Sequence, residues 1–588
     1  MLVHVFLALL CTAGANHNHN TKSAHHRPPV ERASRRTVTT VDKEADFQIK
    51  VNEQKIRCKV DPRFVSFAIS AGMFNKSLEG FDFRSPKLHS LLEELSPAVI
   101  RIGGTRANFM YFESVENTEQ DDPGTDSDLD TNNGHPLDTP NGPGMKSHRG
   151  GSSGMEKHLQ EHMEKQQQSL NSSPSKSLKA MRRKTKKKKK LSEYNDCVMS
   201  KKVFDDLYNL INSTGNTMLF DLNAFSRLPQ SSESEGPGDD VVAPWDSWNS
   251  RLLLEHVKKL KYDVILQLGN EPNHYKKLDT PDIRREMSGR QVKEDYNRLN
   301  KLVDDIGFER RPKIVGPDVT RPRRAGDKTE KWLTDFLRAP ALDSVDYLSW
   351  HQYYMDGREA SEGDFLDPVV LDRFVQQSRL MKNIQKKNKW KKPIWITETS
   401  SAWGGGAENL SDRFAGVFPW IDKLGVAGEF CTKVVARQAM FSGKYQLIEK
   451  ETLKPHPEYF ASVLFKRLAN NRILDVSLSK ETRRFRVYAR CAKSGPSTLP
   501  GSVVLIVLNL YNVEKSFALV DYELFEMEQY LLSATKLTSD IVNLNGEPLL
   551  MQGDQLPPMK GKSVAQPVTI PPRTVGYYVV DKVNLNVC

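Results

Sequence analysis

A repeating alternation of short apolar runs with amphipathic segments limits what this chain can fold into more than any other feature. The apolar runs are Val65–Ala71, Ala98–Gly103, Thr217–Ala224, Asp263–Gly269, Lys313–Asp318, Val345–His351, Pro393–Thr399 and Phe430–Arg437. Helix-length segments stand between them: Ser85–Leu95, Lys201–Ile211, Trp248–Leu260, Gly289–Asp305, Lys328–Leu337, Pro368–Lys386 and Asn409–Leu424. Runs apolar on both faces suit strands of a parallel sheet covered by helices. Eight such units in series predict an α/β chain built on a (β/α)8 TIM barrel, at about 61–112 and 186–459. Beyond about Phe460 the pattern changes to strand-like runs without long helices, at Arg484–Cys491, Val503–Leu510, Ser516–Val520 and Val575–Val580. This predicts an appended C-terminal β-sandwich over 460–588, completed by an N-terminal strand from Ala45–Val60.

The barrel pattern is interrupted. Residues 113–180 are poor in aromatic and branched apolar side chains and carry twelve acids against six bases, a net of −6. Such composition predicts a disordered linker. Its acidic part faces a basic run, Arg182 to Lys190, across the same span, so the linker is expected to mask that run and to be open to excision by a protease. With a formal net charge of +11, the chain is suited to an acidic partner. In isolation the basic run reads equally as a solvated or nuclear-targeting stretch. Against the nucleus stands the N-terminus, an apolar run from Leu2 to Leu10 followed by Ala13-Gly14-Ala15, which reads as a signal peptide over 1–15. Nothing later is long and apolar enough to predict a membrane span. Sequons at Asn75, Asn171, Asn212 and Asn409 supply glycan acceptors for a secreted chain. Cleavage leaves Cys58, Cys197, Cys431, Cys491 and Cys588, an odd set with no metal-type spacing, and neither a metal nor a cofactor is expected.

Two glutamates fall where barrel enzymes place their chemistry, at the C-terminal ends of strands. Glu271 follows the fourth run, within Asn270-Glu271-Pro272, and Glu398 follows Ile394 to Thr397 in the seventh. The fourth and seventh strands face each other across a barrel mouth. Glycosidic cleavage needs such a pair, one carboxylic acid for the leaving oxygen and one carboxylate opposite it. A single strand-end Glu is more often salt-bridged or solvated; two in this relation point to a glycosidase.

The residues around them resemble the heparanase family: LGNEPN at Leu268–Asn273, ETSSAWGGGA at Glu398–Ala407, GPDVTRPRR at Gly316–Arg324, SWHQYYMDGR at Ser349–Arg358, LSPAVIRIGGT at Leu95–Thr105 and WIDKLG at Trp420–Gly425. The likeness covers the chain apart from 1–40 and 113–185. It implies a retaining endo-β-glucuronidase cutting internal glucuronide–glucosamine linkages of heparan sulfate, with Glu271 as acid/base and Glu398 as nucleophile. By the same resemblance Asn270, Thr105, His351 and Tyr353 line the sugar at the cleavage site, while Gly404, Gly405 and Tyr445 hold its carboxylate. Arg323, Arg324, Arg358 and the run Lys186, Lys187, Lys188, Lys189 and Lys190 match heparin-binding patches, where guanidinium forks and ammonium groups suit sulfates. Cys491 and Cys588 match a paired couple. The implied partners are heparan sulfate or heparin, proteoglycans and a processing protease, with no nucleic acid, in the lysosome and extracellular matrix. Three positions depart from the family's pattern: Ser70 and Gly72, where Asp and Asn are common, and Gln352 in place of a second His. An exo-β-glucuronidase of the same mechanism and a non-catalytic heparan-sulfate-binding protein are the alternatives.

Overall fold

In the computed structural model, which describes residues 45–74, 81–113, 198–228, 242–277, 287–339, 344–495, 498–581 and 583–588, the eight runs do form eight strands. The leader at 1–15, the linker beyond Glu113, the run Lys186–Lys190 and the sequons at Asn75 and Asn171 lie outside these residues. Preceding the barrel is β1 (Phe47–Lys59). The barrel strands are β2 (Val65–Ser70), β3 (Val99–Gly103), β4 (Thr217–Leu222), β5 (Val264–Leu268), β6 (Lys313–Val319), β7 (Tyr347–Gln352), β8 (Ile394–Thr399) and β9 (Val435–Gln438). Each pairs in parallel with the next, and β9 returns to β2, closing the barrel.

Five of the helices that cover it start where the sequence offers a side-chain acceptor for the orphan N–H groups of a first turn. Ser85 caps α1 (Pro86–Glu93), Ser200 caps α2 (Lys201–Ser213), and Ser288 caps α4 (Gly289–Ile306), while α3 spans Trp248–Lys259. Asp327 caps α5 (Lys328–Arg338), and Asp367, followed by Pro368, caps α6 (Pro368–Lys387). The next helix, α7 (Phe414–Glu429), begins five residues later than its pattern predicts. Asn409 adopts a left-handed φ of 55°, so the chain is still turning there. The eighth strand is likewise shorter than Phe430–Arg437, because Phe430 caps α7 and Cys431 turns at a φ of 54°. Helix α8 (Pro457–Leu468) crosses position 460, so the sheet domain starts at Ala469, nine residues beyond the expected boundary.

The C-terminal domain is the expected β-sandwich, built from one continuous sheet. Its strands share a single 11-stranded sheet, with β1 inserted beside β10 (Ala469–Leu478) and, on its other edge, β11 (Lys515–Leu519). Strands β11 and β12 (Thr574–Val580) stand five places apart in that sheet, about 24 Å if it were flat. Yet the rings of Phe517 and Tyr578 meet at 5.0 Å. The sheet therefore rolls over on itself, and its inner face encloses Ile49, Val507, Phe517 and Tyr578. Its outer face packs on α7 and α8: Tyr577 donates to the Ala461 carbonyl at 2.8 Å, and Arg486 reaches Asp422 at 3.1 Å. Helix α7 is buried along nearly its whole length because it lies between the barrel and this sheet. Among the described residues no helix is long and apolar enough to cross a membrane. Of the described sequons, Asn212 and Asn409 are exposed.

Among the described residues, two disulfides tie distant parts of the chain together. Cys491 bonds to Cys588, 97 residues away, and Cys58 bonds to Cys431, 373 residues away. Sequence alone left the second pairing open, since Cys197, which lies outside the described residues, was an equal partner. Peptide mapping without reduction is expected to return both pairs, and Cys588→Ser is expected to lower stability in urea unfolding by about 2 to 4 kcal/mol.

Candidate active site

At the C-terminal end of β5 the chain turns through two left-handed residues, Gly269 at φ 75° and Glu271 at φ 54°. Only glycine fits the first: a Cβ there would stand 2.2 Å from the Tyr275 hydroxyl. The second is a strained non-glycine position, of the kind that persists where the surroundings hold it. Asn108 supplies that hold, accepting from the Asn270 N–H at 2.8 Å and donating to the Asn270 carbonyl at 3.1 Å, while the Glu271 N–H donates to the Asp318 carbonyl at 3.1 Å. Glu271 is thereby aimed across the barrel mouth. On the facing side, the β7–β8 register shifts between Ile396 and Glu398, which sets Glu398 opposite His351.

The two glutamates converge. One carboxylate oxygen of each, together with a His351 ring nitrogen, lies within 4.8 Å of the others. His351 Nδ1 stands 3.1 Å from Glu271 and 4.0 Å from Glu398, and its Nε2 stands 2.8 Å from Asp318. Burial pushes this imidazole down, but the Asp318 and Glu398 charges and the bonds to Asp318 and Glu271 outweigh it and raise its pKa to about 10. Burial pushes the Glu271 carboxyl up, yet His274 and His351 outweigh that and hold it at about 2. The proton shared by this pair therefore rests on His351. Glu398 accepts from the Tyr353 hydroxyl at 2.7 Å and from Arg101 Nη1 at 2.9 Å.

Arg101 is the hub. Fully buried in β3, it also donates to Asp318 at 2.7 Å, Asn270 at 2.8 Å, Gln267 at 3.2 Å and Asp221 at 3.3 Å. Buried charge is tolerable only when paired, and five acceptors surround this one. Because Arg101 occupies the Asn270 Oδ1, the amide nitrogen of Asn270 is left as its free donor. The proximity of Glu271, His351 and Glu398 would also suit a cation. The positive charge at that spot is already furnished by Arg101 and the protonated imidazole.

The remaining expected residues divide. Tyr353 and Tyr445 both have their phenols pushed up by burial and by the Glu398 charge, which places them beside that carboxylate. Gly405, at φ 93°, has open space where a Cβ would stand, while a Cβ at Gly406 would meet Tyr445 at 2.9 Å, so the glycine turn lies against that ring. Thr105 begins the short helical turn after β3 and is half-buried. Arg323 and Arg324 are exposed. Arg358 is held by Asp356, with its Nε 2.8 Å from the carboxylate, and is less free than an open patch would require.

Sequence reasoning passed over Arg101, Asp221, Gln267, Asp318 and Asn108. A usable signal existed: Arg101, Asp221 and Gln267 each sit between apolar neighbours in the middle of a run, where only an inward-facing layer could shelter them. Asp221 and Gln267 are register partners. Arg321 was also missed. Its guanidinium lies 4.4 Å over the Trp403 ring; burial and Arg323 push it down to about 10, and Glu271 and Tyr353 act on it in the opposite sense. Two of the departures find an explanation. A Cβ at Gly72 would stand 2.9 Å from Arg106 Cδ, so the missing side chain makes way for Arg106. Gln352, next to inward His351, faces away and donates to Gln377 at 3.1 Å, behind the mouth.

Comparison with known proteins places the whole chain in a family. Residues 165–425 match the N-terminal domain of glycosyl hydrolase family 79. The chain is 32% identical to the heparanase of Bos taurus over 90% of each chain. It is 28% identical to the hyaluronoglucuronidase of Hirudo nipponia (92% of this chain, 99% of the other) and 28% to the inactive heparanase-2 of Mus musculus (100% and 96%). Among solved structures, a 4-O-α-L-rhamnosyl-β-D-glucuronidase from Fusarium oxysporum superposes with a TM-score of 0.53 at 12% identity, over 90% of this chain and 99% of that one, a likeness of fold. With a closed barrel, a paired carboxylate mouth and this degree of identity along nearly its whole length, the chain belongs to the heparanase family of glycoside hydrolases, family 79.

Proposed function

We propose that the chain is a retaining endo-β-glucuronidase that hydrolyses internal glucuronide–glucosamine linkages of heparan sulfate in proteoglycans. The observation that carries this reading is the approach of Glu271 and Glu398 oxygens to within 4.8 Å. A retaining enzyme holds its carboxyl groups about 5 to 5.5 Å apart, whereas an inverting one needs about 6.5 to 9.5 Å for a water between them. Glu398, held ready by Arg101 and Tyr353, attacks the anomeric carbon as Glu271 protonates the leaving oxygen. Water then enters with Glu271 as base and releases the sugar from Glu398. The proton begins on His351, 3.1 Å from Glu271. From there Glu271 relays it to the leaving oxygen.

Arg321, stacked beside the mouth, and the exposed Arg323 and Arg324 next to it place cations beyond the reacting pair, which supports a substrate charged on more than one sugar and hence internal cleavage. Arg321→Ala is expected to lower kcat/KM on heparan sulfate by about tenfold to a hundredfold, the worth of one charge-assisted bond, and to change turnover of an unsulfated aryl glucuronide much less. The leader read at 1–15 supports secretion, with action in the lysosome and extracellular matrix. Digestion of size-defined heparan sulfate beside an unsulfated polymer of the same length tests the proposal. Shorter internal fragments from the sulfated chain alone are expected. Monosaccharide release would make the enzyme exo-acting, cleavage of the unsulfated chain would redirect the substrate, and no cleavage of either would leave a binding protein.

A further inference from the structure

At the opposite end of the barrel from the carboxylate pair, where β2 and β3 begin, a cavity of about 250 Å³ lies between the barrel and the β-domain. Its walls are partly apolar, from Pro62, Val65, Pro97 and Ala469. Its charges are unbalanced. Arg490 is only 3% exposed, and its guanidinium lies 4.3 Å over Phe64 and 4.7 Å over Phe465. The acceptors it reaches among the described residues are the carbonyls of Asn470 and Leu424, both at a long 3.4 Å. Lys466 spends one of its three N–H bonds on the Pro97 carbonyl at 2.8 Å. Lys493, exposed, stands at the rim. Asp61 is the acid in the lining, and both its oxygens are taken by Arg63, at 3.0 and 3.1 Å.

No carboxylate among the described residues pairs with Lys466, Arg490 or Lys493. Burial, joined at Lys466 by the charge of Lys493, pushes the lysine down to about 7, and burial alone pushes Arg490 down to about 9. Lys466 and Lys493 repel each other, Arg490 is buried, and none of the three has a counter-charge; such cations are costly, and proteins normally supply the missing partner. Here the open side of the cavity is where it can enter.

We propose that this cavity is an anion-binding site that takes one tetrahedral oxyanion, a sulfate or phosphate group, between Arg490, Lys466 and Lys493. Three cationic donor groups from α8, a sheet strand and the segment after it suit an ion with oxygens on several sides, better than a planar carboxylate with two. The cavity is several times the roughly 30 Å³ that a water occupies, and its apolar wall can meet the C–H face of a sugar. The group can therefore arrive on a sulfated sugar or as a free ion. The site is independent of the proposed glucuronidase reaction, and either can fail alone.

The test is calorimetric titration of the full chain, at fixed ionic strength, with inorganic sulfate, inorganic phosphate, glucosamine 6-sulfate and acetate. Saturable one-site binding of at least one tetrahedral oxyanion is expected, weakened at least tenfold in Lys493→Glu and in Lys466→Met. Thermal unfolding confirms that each variant is folded, and Lys493→Glu, at an exposed position, is the variant that keeps the test decisive. Glucosamine 6-sulfate binding identifies the sugar as the source; binding of the inorganic ions alone identifies a free ion. Absence of saturable binding, an affinity unchanged in Lys493→Glu, or acetate binding as tightly as sulfate would overturn the proposal.

Discussion

Glu398→Gln is expected to lower kcat/KM on heparan sulfate by about three orders of magnitude or more, and Glu271→Gln by about two to four. Both should keep heparin affinity near that of the parent, because neither removes a cation. An amide in place of the Glu398 carboxylate cannot form the glycosyl ester, and it meets Arg101 and the Tyr353 hydroxyl, two donors, with one acceptor fewer. A mechanism-based glucuronide inhibitor should label the peptide holding Glu398 in the parent and leave the Glu398→Gln protein unlabelled. Residual activity above about a tenth in Glu398→Gln is too much for a lost covalent nucleophile and would sink that assignment.

Arg101→Met should be the most destabilising single change near the site. It strips the guanidinium from Asp318, Asp221 and Glu398 at once, leaving carboxylates buried without their partner. Breaking a buried pair from one side costs about 3 to 5 kcal/mol, a large share of the whole stability of a domain. Urea unfolding measures it, and activity should vanish with it. Arg101→Lys keeps the charge and loses the fork, so it should recover part of the stability while remaining poorly active. If Arg101→Met unfolds at the parent's urea concentration, the hub does not hold the mouth together.

The barrel was legible because its signal is local. Each strand is a short run sheltered on both faces, and most of the barrel's helices announce themselves with a Ser or Asp cap, as at Ser200, Ser288 and Asp327. Glu271 and Glu398 were legible because strand ends are countable. The hub was not, since nothing near Arg101 in the chain says that Asp221, Asp318 and Glu398 converge on it from 120, 217 and 297 residues away. The start of α7 was misplaced for a related reason. A helix buried all round has no polar face to give it a period, and its onset is set by the turn at Asn409. That the sandwich is one continuous sheet was not legible, because strand-like runs carry no record of how a sheet rolls.

The placement of Cys58 has a topological consequence. Strands β1, β2 and β3 precede residues 114–197, and everything from β4 onward follows them. A backbone cut anywhere in that interval would divide the molecule into two polypeptides, with Arg101 on the smaller and both glutamates on the larger. The smaller would still be woven into the sheet through β1 and into the barrel through β2 and β3. The Cys58–Cys431 bond would also join the halves covalently. Such a nicked form could not fall apart on dilution, and it would part into two chains only where a reductant and a denaturant act together.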